Sequence, residues 1–144
     1  MKINLFAKTI LLLLSLVLAG CSAEERTENT VFDPVKIVRK VIANTSQHEI
    51  ANGDLPVWLS EFIDGLGSLD DMREVAAIKG NWKGEDVYYV YDYYSSCLAC
   101  STFNSEGEKI DWSKIDFENF WESATGWKCI YLHKSNIHSI FDDI

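Results

Sequence analysis

From Asp33 onward the spacing of apolar positions changes several times, and each change predicts an element. Asp33-Pro34 places a capping side chain before a proline, and Val35, Val38, Val41 and Ile42 then recur on one helical face, which predicts a helix from Pro34 to Ala43. Asn44 to Asp54 is polar and carries the Asn52-Gly53 turn signal, so it reads as a loop. Pro56 opens a second helix whose Leu59, Phe62, Ile63 and Leu66 share one side, and Gly65 and Gly67 end it. Beyond a polar turn at Ser68 to Asp71, the stretch from Arg73 to Trp82 alternates loosely and reads as a strand, and Lys83-Gly84 makes a tight hairpin turn out of it.

The strand that follows dominates the pattern. Glu85 to Cys100 is dense in β-branched and aromatic residues and almost free of good helix formers. A period of two puts Val87, Tyr89, Tyr91 and Tyr93 on one face and Tyr88, Val90, Asp92 and Tyr94 on the other. Both faces are largely apolar, which places the strand in the middle of a sheet. Ser101 to Asn104 and Lys109 to Trp112 read as strand segments separated by the Ser105-Glu106-Gly107 turn. Ser113 or Asp116 then caps a helix with Phe117, Phe120, Trp121 and Ala124 on its apolar face and Gly126 as its stop. Trp127 to His133 predicts a last strand, with Trp127, Cys129, Tyr131 and His133 on one face, and Ser135 to Ile144 adds at most a helical turn. The order of these elements predicts an α+β fold: an antiparallel sheet of three to five strands with helices packed on one face, leaving the other available.

The first residues carry an address. Lys2 and Lys8 form a positive region, Ile10 to Leu18 an apolar one, and small residues follow, which is the layout of an export signal. Leu18-Ala19-Gly20-Cys21 resembles the bacterial lipobox, and the resemblance implies that Cys21 is lipid-modified and becomes the mature N-terminus. Ser22 after the cysteine favours the outer membrane, and Ser22-Ala23-Glu24-Glu25 resembles a short acidic surface-export signal of Bacteroidetes lipoproteins. The expected organisation is therefore a signal peptide over 1–20, a lipidated cysteine and flexible tether over 21–31, and one globular domain over 32–144. The expected location is the outer membrane, facing the periplasm or the cell surface.

Charge narrows the partners. The chain has 13 Lys and Arg against 22 Asp and Glu; two lysines lie in the signal, so the remainder carries 11 − 22 = −11. An excess of that size opposes nucleic-acid binding, which depends on neutralising phosphates. Membrane attachment is expected through the lipid and not through surface charge.

Three cysteines remain after Cys21. In an exported chain Cys97, Cys100 and Cys129 are disulfide candidates, with any pairing open. Leu98-Ala99 does not favour a tight hairpin between the first two. A bridge to Cys129 would staple the last strand to the sheet. A thioredoxin-like role needs the first cysteine at a helix N-terminus, whereas here it follows a strand. With His133 the three cysteines make a superficial zinc set. Cys129 and His133, four residues apart on a strand, would nevertheless be separated by roughly 13 Å, too far for one tetrahedral ion. No metal and no cofactor is expected. A cysteine nucleophile with His48, His133 or His138 as base has no motif behind it. Asp70, Asp71, Glu74, Asp111 and Asp116 could supply an acid and base pair of glycosidase type, but Asp70, Asp71 and Asp116 read as caps. The aromatic row Tyr89, Tyr91 and Tyr93 is the candidate binding surface, a platform for a sugar or a peptide.

The lipobox, Leu55-Pro56-Val57-Trp58-Leu59, Gly84-Glu85-Asp86-Val87-Tyr88-Tyr89, the cysteine pair and Asn104-Ser105-Glu106-Gly107 together resemble small Bacteroidetes lipoproteins. The resemblance spans Leu55 to Asp111 and implies an address and a fold but no activity. The function expected is a lipid-anchored envelope binding or accessory protein, non-enzymatic, meeting an unidentified protein or glycan through its aromatic sheet face. A hydrolase acting on envelope material or polysaccharide, and an inhibitor of a secreted hydrolase, are the alternatives.

Overall fold

The structure is a computed structural model that describes residues 33–51, 54–67, 73–97 and 99–134. The signal, Cys21, the tether, Asn52-Gly53, the Ser68–Asp71 turn and the tail from Ser135, with His138, lie outside the described residues.

Helix α1 runs Pro34–Asn44, with the Asp33 side chain accepting from the Val35 N–H and proline opening the helix. A second short helix, α2, Gln47–Ala51, occupies what reads as loop in the sequence. Ser46 and Glu49 make it: Glu49 Oε2 accepts from the Ser46 backbone N–H and Oγ, while Ser46 Oγ accepts from the Glu49 N–H. That reciprocal pair is a capping box. These contacts hold the Glu49 carboxyl below its usual pKa, the Ser46 backbone hydrogen bond contributing most.

Helix α3 covers Val57–Gly65, and strands β1, Val75–Trp82, and β2, Glu85–Asp92, follow as a hairpin. Its turn residues Lys83 and Gly84 have φ of 53° and 88°, the all-positive geometry that matches strand twist. Strand β3 is only Thr102–Phe103, helix α4 is Phe117–Ser123, and strand β4 is Thr125–His133. Asp116, and not Ser113, caps α4, accepting from the Asn119 N–H at 2.7 Å. Lys109 to Trp112 does not form a strand; Lys109 contributes one isolated bridge to Phe103.

The fold is α+β. Its four-stranded antiparallel sheet has the order β3-β2-β1-β4, and helices pack against one face of it. On that face Val38, Val41 and Ile42 of α1 and Phe120 and Trp121 of α4 bury Ala76, Ile78, Val87, Tyr89 and Tyr91. The reverse face is smaller and is covered as well: Leu59 and Ile63 of α3 pack on Val75, Ala77, Tyr88, Val90 and Phe103.

Strand β4 departs from simple alternation. Its partners run Ala77↔Tyr131 and then Ile78↔Cys129, so Ile130 is an extra residue, and a second irregularity falls between Lys79 and Asn81. A bulge reverses the face of everything beyond it. Cys129 and Leu132 consequently belong to the α1/α4 side and Ile130 and Tyr131 to the α3 side, which corrects the expected grouping of Cys129 with Tyr131. Gly126, expected to stop α4, lies inside β4 at φ 65° in the second irregularity. Opposite it, Gly80 lacks a side chain because the Trp127 ring lies where a Cβ would be, 2.6 Å away.

Candidate functional site

The tyrosine row divides between core and surface. Tyr89 and Tyr91 are 1 % and 7 % exposed, so they cannot form the binding platform expected of them. The period of two places them on one face correctly, but α1 and α4 cover that face. Tyr89 meets Trp121 edge-on at 5.1 Å. Burial pushes the Tyr89 phenol far above its usual pKa and that of Tyr91 up to about 12.

Tyr93 lies just past the end of β2, where the chain leaves the covered sheet. It and Tyr94, which the sequence assigned to the opposite face, are 54 % and 52 % exposed. Their rings pack edge-on at 5.5 Å. The pair is held in place from beneath. The Tyr93 N–H donates to the Glu74 carbonyl at 3.0 Å, and the Tyr94 N–H donates to Asp92 Oδ1 at 3.2 Å. Asp92 receives both arms of Arg73, Nε to Oδ1 at 3.1 Å and Nη2 to Oδ2 at 2.8 Å, and both side chains are about nine-tenths buried. The same guanidinium donates to the Leu66 carbonyl at the end of α3 and sits over the Tyr94 ring, 5.4 Å from its centroid. A planar fork suits both tasks, which an ammonium could not perform together.

The cysteine pair continues from these tyrosines. Cys97 and Cys100 are bridged to one another, and Cys129 is free and buried. Turn chemistry argued against a bridge across a hairpin. Instead the two cysteines themselves close a turn, the Cys100 N–H donating to the Cys97 carbonyl at 3.3 Å. Ala99 then anchors this turn to the body: its carbonyl accepts from Trp112 Nε1 at 3.0 Å and from Thr102 Oγ1 at 3.2 Å. Burial pushes the Cys129 thiol up to about 11, so it is a poor nucleophile and a poor ligand.

The remaining candidates do not converge. Among the described residues no group of three or more His, Cys, Asp or Glu could hold a metal ion. Asp111 is held near a pKa of about 2 by Lys114 first and Ser113 second, and Asp116 is committed to the α4 cap. Glu74 is buried at the entrance to β1. A half-open cleft of ≈ 280 Å³ lies between α1 and the stacked Trp121 and Trp127, and Lys40 is the one charged residue among those that line it. It brings no acid and base together.

Three of the sequence motifs, Leu55 to Leu59, Gly84 to Tyr89 and Asn104 to Gly107, meet each other in space. Trp58 Nε1 donates to the Ser105 carbonyl at 3.3 Å, and the Trp58 ring sits edge-on to Tyr88 at 5.3 Å. Gly107, at φ 85°, has no side chain because Trp58 fills that space. The tryptophan helix, the tyrosine strand and the acidic-glycine turn thus make a single packing unit on the α3 side, and their role in this chain is architectural.

No family model, curated protein or solved structure matches the chain.

Proposed function

We propose that the protein is a lipid-anchored envelope protein of the small Bacteroidetes lipoprotein type, working by contact and not by catalysis, and that Tyr93 and Tyr94 are its contact residues. The observation that carries this reading is the combination of exposure and restraint at that pair: two half-exposed aromatic rings fixed on each other and on a nearly buried Arg73–Asp92 fork. Exposed aromatics that lose little freedom on binding are the side chains that dominate recognition hot spots. The excess of acid over base points to a neutral or cationic partner, a protein or a glycan, and away from nucleic acid.

The anchor and the contact surface are separable in one experiment. Full-length protein, a Cys21→Ser variant and a Tyr93→Ala/Tyr94→Ala variant are expressed in a bacterial envelope, fractionated, and cross-linked in place. Cys21→Ser is expected to lose acylation and leave the membrane fraction. The double tyrosine variant is expected to stay anchored, keep its melting temperature and lose its cross-linked partner. A double variant that cross-links as the wild type does would remove the tyrosine pair from the reading, and an anchored Cys21→Ser would remove the lipid.

A further inference from the structure

We propose that Cys97–Cys100 is a solvent-facing thiol–disulfide exchange site, which a dithiol oxidoreductase of the envelope can open and close while the protein stays folded. The inference stands apart from what Tyr93 and Tyr94 touch.

Three observations carry it. Both cysteines are exposed residues, so the bridge lies at the surface, where an attacking thiolate can approach it. The bridge has a sequence separation of 3 and joins no two elements of the sheet or helices. The chain on either side is fixed without it: Ser95 N–H donates to the Asp92 carbonyl at 2.9 Å before the turn, and after it the Ala99 carbonyl takes its two donors and the Ser101 carbonyl accepts from the Val90 N–H at 2.9 Å. Opening the bridge therefore removes no contact from the core, and the two cysteines remain close enough to pair again. The third observation is that no competing thiol is at hand among the described residues. Cys129 is 1 % exposed and lies on β4, which β1 separates from β2 in the sheet.

The exchange balances without a further reactant. A thiolate of the oxidoreductase attacks one sulfur of the bridge; the Cys97–Cys100 bond breaks, a mixed disulfide forms, and the other cysteine leaves as a thiolate that takes a proton from water. The second thiol of the oxidoreductase then attacks the mixed disulfide and releases the remaining cysteine. Two electrons and two protons end on Cys97 and Cys100, and the oxidoreductase holds the new disulfide. Oxidation runs the same steps backward.

The test titrates folded full-length protein with dithiothreitol, traps thiols with iodoacetamide under native conditions and maps the labels by peptide, so that Cys21 is scored separately. Cys97 and Cys100 are expected to gain a label each at reductant concentrations where Cys129 gains none. The melting temperature should drop by only a few degrees, and an oxidised thioredoxin-fold protein should restore the unlabelled state. The oxidised wild-type protein is expected to form a trapped mixed disulfide, through Cys97 or Cys100, with a thioredoxin-fold protein whose second active-site cysteine is replaced by serine, since nothing is then left on that protein to resolve it. Labelling of all three cysteines together would overturn the proposal, because it would mean that the bridge opens only on unfolding. So would a bridge that resists reduction until denaturant is added, or a failure of the single-cysteine thioredoxin-fold protein to trap either Cys97 or Cys100.

Discussion

Two glycines with nearly the same positive φ separate strain from packing. Gly84 and Gly107 have φ of 88° and 85°, a region in which a side chain clashes with its own carbonyl. At Gly84 a Cβ would meet nothing within 4 Å, whereas at Gly107 it would lie 2.6 Å from Trp58 Cδ2 and 2.8 Å from Cγ. Trp58 cannot easily yield, since it is held between Tyr88 and Phe103 and by its bond to Ser105. Gly84→Ala is expected to cost about 1 kcal/mol and Gly107→Ala about 3 kcal/mol or more, because overpacking adds to the backbone term. Urea denaturation of both variants checks this, and equal costs would show that Trp58 moves aside freely.

At the scale of elements, one side chain ties the outer edge of β4 to the end of α1. Cys129 N–H donates outward to Thr45 Oγ1 at 3.1 Å, and that hydroxyl donates in turn to the Val41 carbonyl at 2.8 Å. Thr45 thus ties the end of α1 to a sheet edge that would otherwise offer an unpaired donor. Thr45→Val keeps the shape and removes both bonds, so it is expected to cost about 1–3 kcal/mol. Amide hydrogen exchange reads the cause directly: protection of Cys129 N–H should drop more than that of its β4 neighbours, and a uniform drop would point to global destabilisation instead.

The elements also show where the sequence was legible. Helices α1 and α3 and the β1–β2 hairpin carry local signals, namely the Asp33 cap, the glycines at the end of α3 and Lys83-Gly84, and all were readable. The alternation of Val87, Tyr89 and Tyr91 correctly told which residues share a face. It could not tell which face is wet, because both faces of β2 are apolar and α3 covers the second. The bulge at Ile130 was invisible for a related reason: it is a property of pairing with β1, and the local pattern of β4 fits either register. Helix α2 escaped because it is short and apolar periodicity needs more than five residues to appear, although the Ser46 and Glu49 spacing was its signal. Of the candidate site, Tyr93 and the three cysteines could be named from the sequence, but the pairing of Cys97 with Cys100 could not, because Leu98-Ala99 is not a hairpin dipeptide; the Arg73–Asp92 fork that fixes the tyrosines joins residues nineteen apart and leaves no local mark.

For the molecule as a whole, the tyrosines that failed as a binding surface become a determinant of stability at high pH. Burial raises the pKa of Tyr89, of Tyr91 to about 12, and of Tyr131, and raises Cys129 to about 11. In the unfolded chain these groups titrate near about 10 for tyrosine and about 8.5 for cysteine. Below those values both states hold their protons and stability does not depend on these groups. Above them the unfolded chain releases protons that the folded one retains, so the folded state binds more and stability falls as pH rises. The loss begins between pH 8.5 and 10 and grows until the folded-state values are reached, near 11 for Cys129 and 12 for Tyr91. Tyr89 and Tyr91 stand on adjacent same-face positions of β2, and after burial the charge of Tyr91 adds to the cost of ionising Tyr89, so Tyr89 is expected to ionise only as the core opens. Melting temperature measured from pH 8 to 12 should therefore descend steeply over its upper half, with tyrosinate absorbance rising in step with loss of the near-ultraviolet circular dichroism. Tyr89→Phe removes the largest of these groups while keeping its ring against Trp121, and its descent should be shallower than that of the wild type. A wild-type curve that stays level to pH 12, or tyrosinate from Tyr91 appearing near pH 10 in a protein still folded, would contradict the burial of the row beneath α1 and α4.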